Sequence, residues 1–102
     1  MLELTEENFQ DDVGKGLAVL DFWAPWCGPC KMMGPVFEKL SGGIKGITFA
    51  KVNVDDHQDL AAKFQIMSIP TLVVLKEGSE VDRIMGFAGE DAIRDFIQKH
   101  ID

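Results

Sequence analysis

Two cysteines, Cys27 and Cys30, are separated only by Gly28 and Pro29, and the chain contains no others. So close a pair braces a fold poorly. Closing a four-residue loop restrains the unfolded chain by only about 2 kcal/mol, and secreted disulfide scaffolds carry more cysteines at longer separations. Half of a zinc knuckle has the same spacing, but the only histidines, His57 and His100, stand at separations no zinc motif uses. No metal site is expected. Two inert buried cysteines fit badly as well, because Gly28 and Pro29 stand where a buried run would carry apolar side chains. The remaining chemistry is thiol–disulfide exchange between Cys27 and Cys30.

That chemistry needs a thiolate, and the surrounding pattern provides for one. Residues 17–24 form an apolar run broken only by Asp21, the pattern of a strand covered on both faces. Past the cysteines, Met32, Met33, Val36, Phe37 and Leu40 recur at helical spacing, with Pro35 expected to kink the helix and Gly42-Gly43 to end it. A strand that feeds a helix through the cysteine pair puts Cys27 at the helix N-terminus, where free N–H groups and the positive end of the dipole stabilise a thiolate. Cys30 follows one turn later on the same face, within reach of Cys27 but more shielded. Cys27 is therefore expected to attack and Cys30 to resolve the mixed disulfide. Asp21, six residues before Cys27, would be costly to bury ionised, so a raised pKa and a role as proton acceptor are expected of it. A strand at the sheet edge with Asp21 facing water is the alternative.

The remaining elements supply a frame of alternating strands and helices. Thr5 is positioned to cap a first helix reaching residue 13, with Phe9 and Val13 on one face. Residues 47–54 read as a second strand, completing a βαβ unit. Asp55-Asp56 offer caps for a third helix carrying Leu60, Ala61 and Phe64. Residues 71–75 read as a further strand after Ile69-Pro70, and 76–79 turn it into a hairpin partner over 80–85. A last helix presents Ala92, Ile93, Phe96 and Ile97. The sum is a three-layer α/β domain.

Composition narrows the classes of function. A chain of 102 residues with 46% hydrophobic residues has room for a single domain, burying roughly 65% of the surface its unfolded form exposes. The net charge of −7, with no basic tract, argues against nucleic acid or an anionic membrane as partner. No segment has the length of a transmembrane helix. The N-terminus is acidic where a targeting peptide would be basic, so a cytoplasmic location is expected.

Trp26-Cys27-Gly28-Pro29-Cys30-Lys31, preceded by Asp21-Phe22-Trp23-Ala24, resembles the thioredoxin family. Lys51-Val52-Asn53-Val54-Asp55, Ile69-Pro70-Thr71-Leu72, the Gly78 turn and Gly86 follow in family order along the rest of the chain. The resemblance implies one thioredoxin domain over 1–102, with a central mixed five-stranded sheet flanked by four helices. It implies that Asp21 is the buried acid that helps deprotonate Cys30, and that Lys51 modulates its proton. Local sequence favours a trans Ile69–Pro70 bond, since only about 5–6% of X–Pro bonds in folded proteins are cis; the resemblance implies cis. Trp26, Gly28, Pro29, Ile69, Pro70, Gly86 and Phe87 would form the substrate-contacting rim, with the Ile69 backbone pairing with an extended segment. Ordinary core is the alternative for Trp26 and Phe87, and a snorkelling surface lysine the alternative for Lys51.

The implied activity is reduction of disulfides in other proteins. Electrons would come from a thioredoxin reductase, since the chain has no nucleotide-binding glycine loop. No cofactor would be tightly bound beyond the redox-active Cys27–Cys30 disulfide, and the protein would be a monomer. Two other functions fit the same frame. An oxidase or isomerase is disfavoured because relatives of that kind carry a histidine between the cysteines, where this chain has Gly28-Pro29. A binding module using the apolar rim would survive loss of both thiols. Pro25, Gln65, Met67 and Ser68 depart from the usual family pattern and bear on partner choice.

Overall fold

The computed structural model describes residues 1–101. Its elements in chain order are β1 (Leu2–Glu3), α1 (Phe9–Val13), β2 (Leu17–Trp23), α2 (Gly28–Gly43), β3 (Thr48–Asn53), α3 (Gln58–Lys63), β4 (Thr71–Lys76), β5 (Ser79–Met85) and α4 (Glu90–Gln98). The five strands among the described residues make one mixed sheet in the order β1-β3-β2-β4-β5. β3 runs parallel to β1 and β2, while β4 runs antiparallel to β2 and β5. β2 is thus central, and its residues 18–22 are all buried, as the near-continuous apolar run requires.

Alternation along the strands sorts side chains into two cores. Ala18, Leu20, Phe22, Ala50, Val52, Val73 and Leu75 pack with Phe9 and Val13 of α1 and Leu60 of α3. On the opposite face Val19, Phe49, Leu72 and Val74 meet Met33, Phe37 and Leu40 of α2 and Ile93, Phe96 and Ile97 of α4. Phe37 is fully buried, its ring 5.1 Å from that of Phe49. Burying a side chain of this size contributes about 1.5–3 kcal/mol. Asp21 falls on the α2/α4 face by the same period-two rule.

Several boundaries differ from the sequence-based expectation, each for a local reason. Thr5 Oγ1 accepts from the Asn8 N–H and Asn8 Oδ1 accepts from the Thr5 N–H, a reciprocal capping arrangement. Thr5 therefore caps a turn, and the regular helix begins only at Phe9. α3 starts after His57 rather than after Asp55-Asp56, because Asp55 is drawn into a turn by its N–H bond to Asn53 Oδ1. α2 continues through Pro35 to Gly43. The proline lies on the exposed side, where water can satisfy the carbonyl left without its N–H partner. Met32 and Ala92, counted with the apolar faces of their helices, are exposed instead. β1 has only two residues, too short for any periodic signal. Its strand character comes from pairing Leu2 with Ala50 and Glu3 with Lys51.

The β4–β5 hairpin closes through Glu77 and Gly78, with φ of 52° and 81° and Lys76 opposite Ser79. Positive φ at both loop residues is the signature of the tight turn whose twist matches that of the strands. Glu77 anchors this end of the sheet: its N–H donates to Gly16 O at 3.0 Å, and its carboxylate accepts from the Gly16 N–H at 2.7 Å. A Cβ on Gly78 would lie 3.2 Å from the Gly14 carbonyl oxygen. Gly78→Ala is expected to lower unfolding free energy by about 1–2 kcal/mol, combining the left-handed backbone penalty with this close approach. A denaturant titration checks it, and an unchanged midpoint would show that the turn relaxes freely.

Candidate active site

β2 ends at Trp23, and the chain passes over Ala24, Pro25 and Trp26 into α2. Cys27 is the N-cap residue of that helix, with extended backbone (φ −90°, ψ 113°), and Pro occupies the first turn. Its sulfur accepts from the Cys30 N–H at 3.2 Å. Sequence places it there because Gly28-Pro29 suits a helix start, where a missing N–H is harmless. Cys27 and Cys30 are disulfide-bonded. The expected difference in shielding is absent in this oxidised state. Cys27 is 5% and Cys30 4% exposed, since both sulfurs pack with Ala24, Trp23, Val54 and Ile69. What separates the two is position: Cys27 caps the helix and Cys30 lies inside its first turn.

Asp21 is fully buried, and neither carboxylate oxygen has a hydrogen-bond partner. The sheet-edge alternative is excluded by the central place of β2. Burial pushes the Asp21 pKa up to about 6; the Lys51 ammonium pulls it down and the Glu38 carboxylate pushes it further up. Lys51 is the registered neighbour of Asp21 on β3. Its ammonium stands 4.7 Å from the centroid of the Trp23 ring and 3.9 Å from Glu38 Oε2. It is no free surface lysine.

The rim residues are distributed around this centre. Trp26 is 68% exposed, and its indole N–H donates to Asp55 Oδ2 at 3.0 Å. Gly28 and Pro29 are exposed. The Ile69–Pro70 peptide is cis, and the Ile69 carbonyl oxygen lies 3.9 Å from Cys27 Sγ. Among the described residues neither the N–H nor the C=O of Ile69 has a backbone hydrogen-bond partner. Gly86, at φ 88°, donates its N–H to Pro70 O at 2.8 Å and so ties the last turn to this loop. Phe87 beside it is 45% exposed, which sets aside the core reading of that residue and of Trp26. Met67, 91% exposed, extends the apolar surface on the loop before Pro70.

Asp55, bonded to the Trp26 indole, and Glu38, beside Lys51, border this centre without being singled out by the sequence. A signal for Asp55 existed: β2 and β3 are parallel, so the residues just after each strand lie side by side, and Asp55 follows β3 as Trp26 follows β2. Glu38 had none beyond sitting on the same helix as the cysteines. Among the described residues no group of three or more His, Cys, Asp or Glu could hold a metal ion, and no helix is long and apolar enough to cross a membrane.

A mixed sheet between helix layers, with a disulfide at the mouth of the helix that follows the central strand, defines a dithiol–disulfide exchange protein. The thioredoxin family model matches residues 1–99. Thioredoxin from Staphylococcus saprophyticus is 44% identical over 102 residues, spanning 99% of this chain and 98% of its own. Thioredoxin from Bacillus subtilis is 40% identical over the same shares. Among solved structures, a mutant thioredoxin from Halobacterium salinarum superposes with TM-score 0.91 at 33% identity, covering 99% of this chain and 90% of that one. Plasmodium falciparum thioredoxin gives TM-score 0.91 at 35% identity over 98% and 99%. The chain belongs to the thioredoxin family, and its activity is the reduction of protein disulfides by dithiol–disulfide exchange.

Proposed function

We propose that the whole chain is one thioredoxin domain in which Cys27 attacks, Cys30 resolves and Asp21 accepts the resolving proton. The observation that carries this is the placing of the Cys27–Cys30 pair at the start of α2, on the face of β2 that buries an unpartnered Asp21. In the dithiol state the Cys27 thiolate attacks one sulfur of a substrate disulfide, forming a mixed disulfide and expelling the other sulfur as a thiolate, which takes up a proton. Cys30 then loses its proton to the Asp21 carboxylate and attacks Cys27 Sγ. The second substrate thiolate leaves, and the Cys27–Cys30 bond closes. Two electrons have passed to the substrate, and the Asp21 proton goes on to the departing thiolate or to water.

Trp26, Gly28, Pro29, Ile69, Gly86 and Phe87 form the surface on which the substrate lies; Pro70, expected among them, is buried and instead supports the cis Ile69 peptide from beneath. The peptide groups of Ile69, without backbone partners among the described residues, suit an extended substrate segment, held through its backbone and therefore read with little regard to sequence. Lys51 tempers the charge on Asp21. Electrons return through a thioredoxin reductase drawing on NADPH or ferredoxin, and the protein works as a cytoplasmic monomer with no tightly bound cofactor. Its net charge of −7 favours the monomer through mutual repulsion.

The test is the reduction potential of the Cys27/Cys30 couple in graded dithiothreitol or glutathione buffers. With no histidine between the cysteines to stabilise the dithiol form, a value more negative than roughly −240 mV is expected. A value near −120 to −180 mV would make the physiological direction oxidation or isomerisation.

A further inference from the structure

Registered residues cross the sheet beneath α2 in one row: Glu3 on β1, Lys51 on β3, Asp21 on β2, Leu72 on β4 and Ile84 on β5. Side chains of registered residues share a face, so this row holds the charges that surround Asp21 within the sheet. Leu72 and Ile84 bring none from β4 and β5. α4 presents buried Ile93, Phe96 and Ile97 to the same core, and its Glu90 is engaged with Lys39 and Arg94. Glu3 is exposed at the sheet edge and forms no ion pair with Lys51 among the described residues. From α2 comes the Glu38 carboxylate; Cys30, on the same helix, is disulfide-bonded and carries no charge.

Lys51, opposite Asp21 in register, is the cation acting on its charge, yet it forms no hydrogen bond with it. Both Asp21 oxygens are orphaned, and the ion pair Lys51 makes is with Glu38 Oε2 at 3.9 Å. Gly34, one turn before Glu38, lies against the ammonium: a Cβ there would be in ordinary contact with Lys51 Nζ, at 3.6 Å. The Trp23 ring flanks the same group. The Lys51 side chain is 17% exposed, so its charge is only partly screened by water, while that of Glu38 is 54% exposed and keeps much of its hydration.

We propose that Glu38 is a positioning residue that holds the Lys51 ammonium toward α2 and thereby leaves the buried Asp21 carboxyl unpaired. Glu38 touches neither cysteine. It acts through Lys51, keeping the carboxyl basic enough to take a proton near neutral pH, and so rests on the role given to Asp21 above. An Asp21–Lys51 ion pair would instead leave a carboxylate too well stabilised to accept one.

The experiment titrates the Asp21 carboxyl by carbon-13 NMR in wild type, Glu38→Gln, Lys51→Met and the double variant, all as oxidised full-length chain. Glu38→Gln keeps the side-chain shape at a half-exposed position, and the amide spectrum reports whether the fold is retained. Its Asp21 midpoint is expected to fall by about half a pH unit, as an ammonium released from one carboxylate turns to the other. Lys51→Met is expected to raise the midpoint. In the Lys51→Met background the Glu38→Gln effect should shrink by more than half. A Glu38→Gln midpoint that is unchanged or raised overturns the proposal, and so does an equal shift with and without Lys51. The pH dependence of mixed-disulfide resolution, followed in parallel, separates the two readings. Midpoints that move as stated while the acid limb of resolution stays put would uphold the Glu38–Lys51 arrangement and overturn the role of Asp21.

Discussion

Cys27→Ser is expected to reduce protein-disulfide reductase activity at least about 10³-fold, to the background of uncatalysed exchange. A serine hydroxyl stays un-ionised near neutral pH, and serine cannot form the mixed disulfide through which electrons pass. Cys30→Ser should fail differently. The Cys27 thiolate still sits at the N-terminus of α2 and still attacks, but no second sulfur follows one turn later to release the substrate. The variant should therefore accumulate a reductant-sensitive covalent adduct, visible as a mass equal to protein plus substrate. Cys27→Ser should show none. Adducts on Cys30 in the Cys27→Ser protein, at a rate matching the reverse pair, would exchange the two roles. The distinction matters here because burial does not separate the sulfurs: both are nearly inaccessible in the disulfide form. Only the capping position of Cys27 distinguishes it from Cys30, and the adduct test decides whether that position carries the attack.

Asp21→Ala is expected to stabilise the oxidised protein at pH 8 by about 3 kcal/mol while slowing the resolving step. The sign follows from the direction of the pKa shift. Burial raises the folded-state pKa from 3.8 to about 6, whereas the unfolded chain titrates at the ordinary value. Between these two values the folded state holds a proton that the unfolded state has lost, so rising pH through this window penalises the fold. Each pH unit of the window is worth about 1.4 kcal/mol, which gives about 3 kcal/mol in full above pH 6. Below about pH 4 both states are protonated, and the penalty vanishes. Guanidinium unfolding of wild type and variant at pH 3.5 and pH 8 measures the difference. Stabilisation by the same amount at both pH values would mean that the ionised carboxylate carries no penalty. A buried group that destabilises the fold at the pH of use is the mark of a site kept for chemistry.

Most of the frame is legible in the sequence, and the reasons are local. β2 and β4 are continuous apolar runs because both of their faces are covered, and the hairpin declares itself through Gly78. The cysteine pair declares its own position, because a strand pattern ends and a helical pattern begins on either side of it. Each of these signals lies within a dozen residues, where period and turn chemistry act. Asp21 is legible for the same reason, as the one acid in a run that must be buried.

Contacts between residues far apart in the chain carry no such trace. β1 exists because Ala50 and Lys51 present an open strand edge to Leu2 and Glu3, not because two residues prefer extended backbone. Asp55 meets the Trp26 indole across 29 positions, and Lys51 on β3 pairs with Glu38 on α2, a separate element. The Ile69–Pro70 bond is cis although local preference is for trans, and only the family resemblance pointed to it. By itself the sequence determined the fold class, the dithiol chemistry and the presence of a buried acid, all written in short-range pattern. The tertiary structure alone decided how shielded each sulfur is, which charges stand around the unpartnered Asp21 and how the Trp26 indole is held. Those depend on packing between separate elements, where a few ångströms select one partner over another.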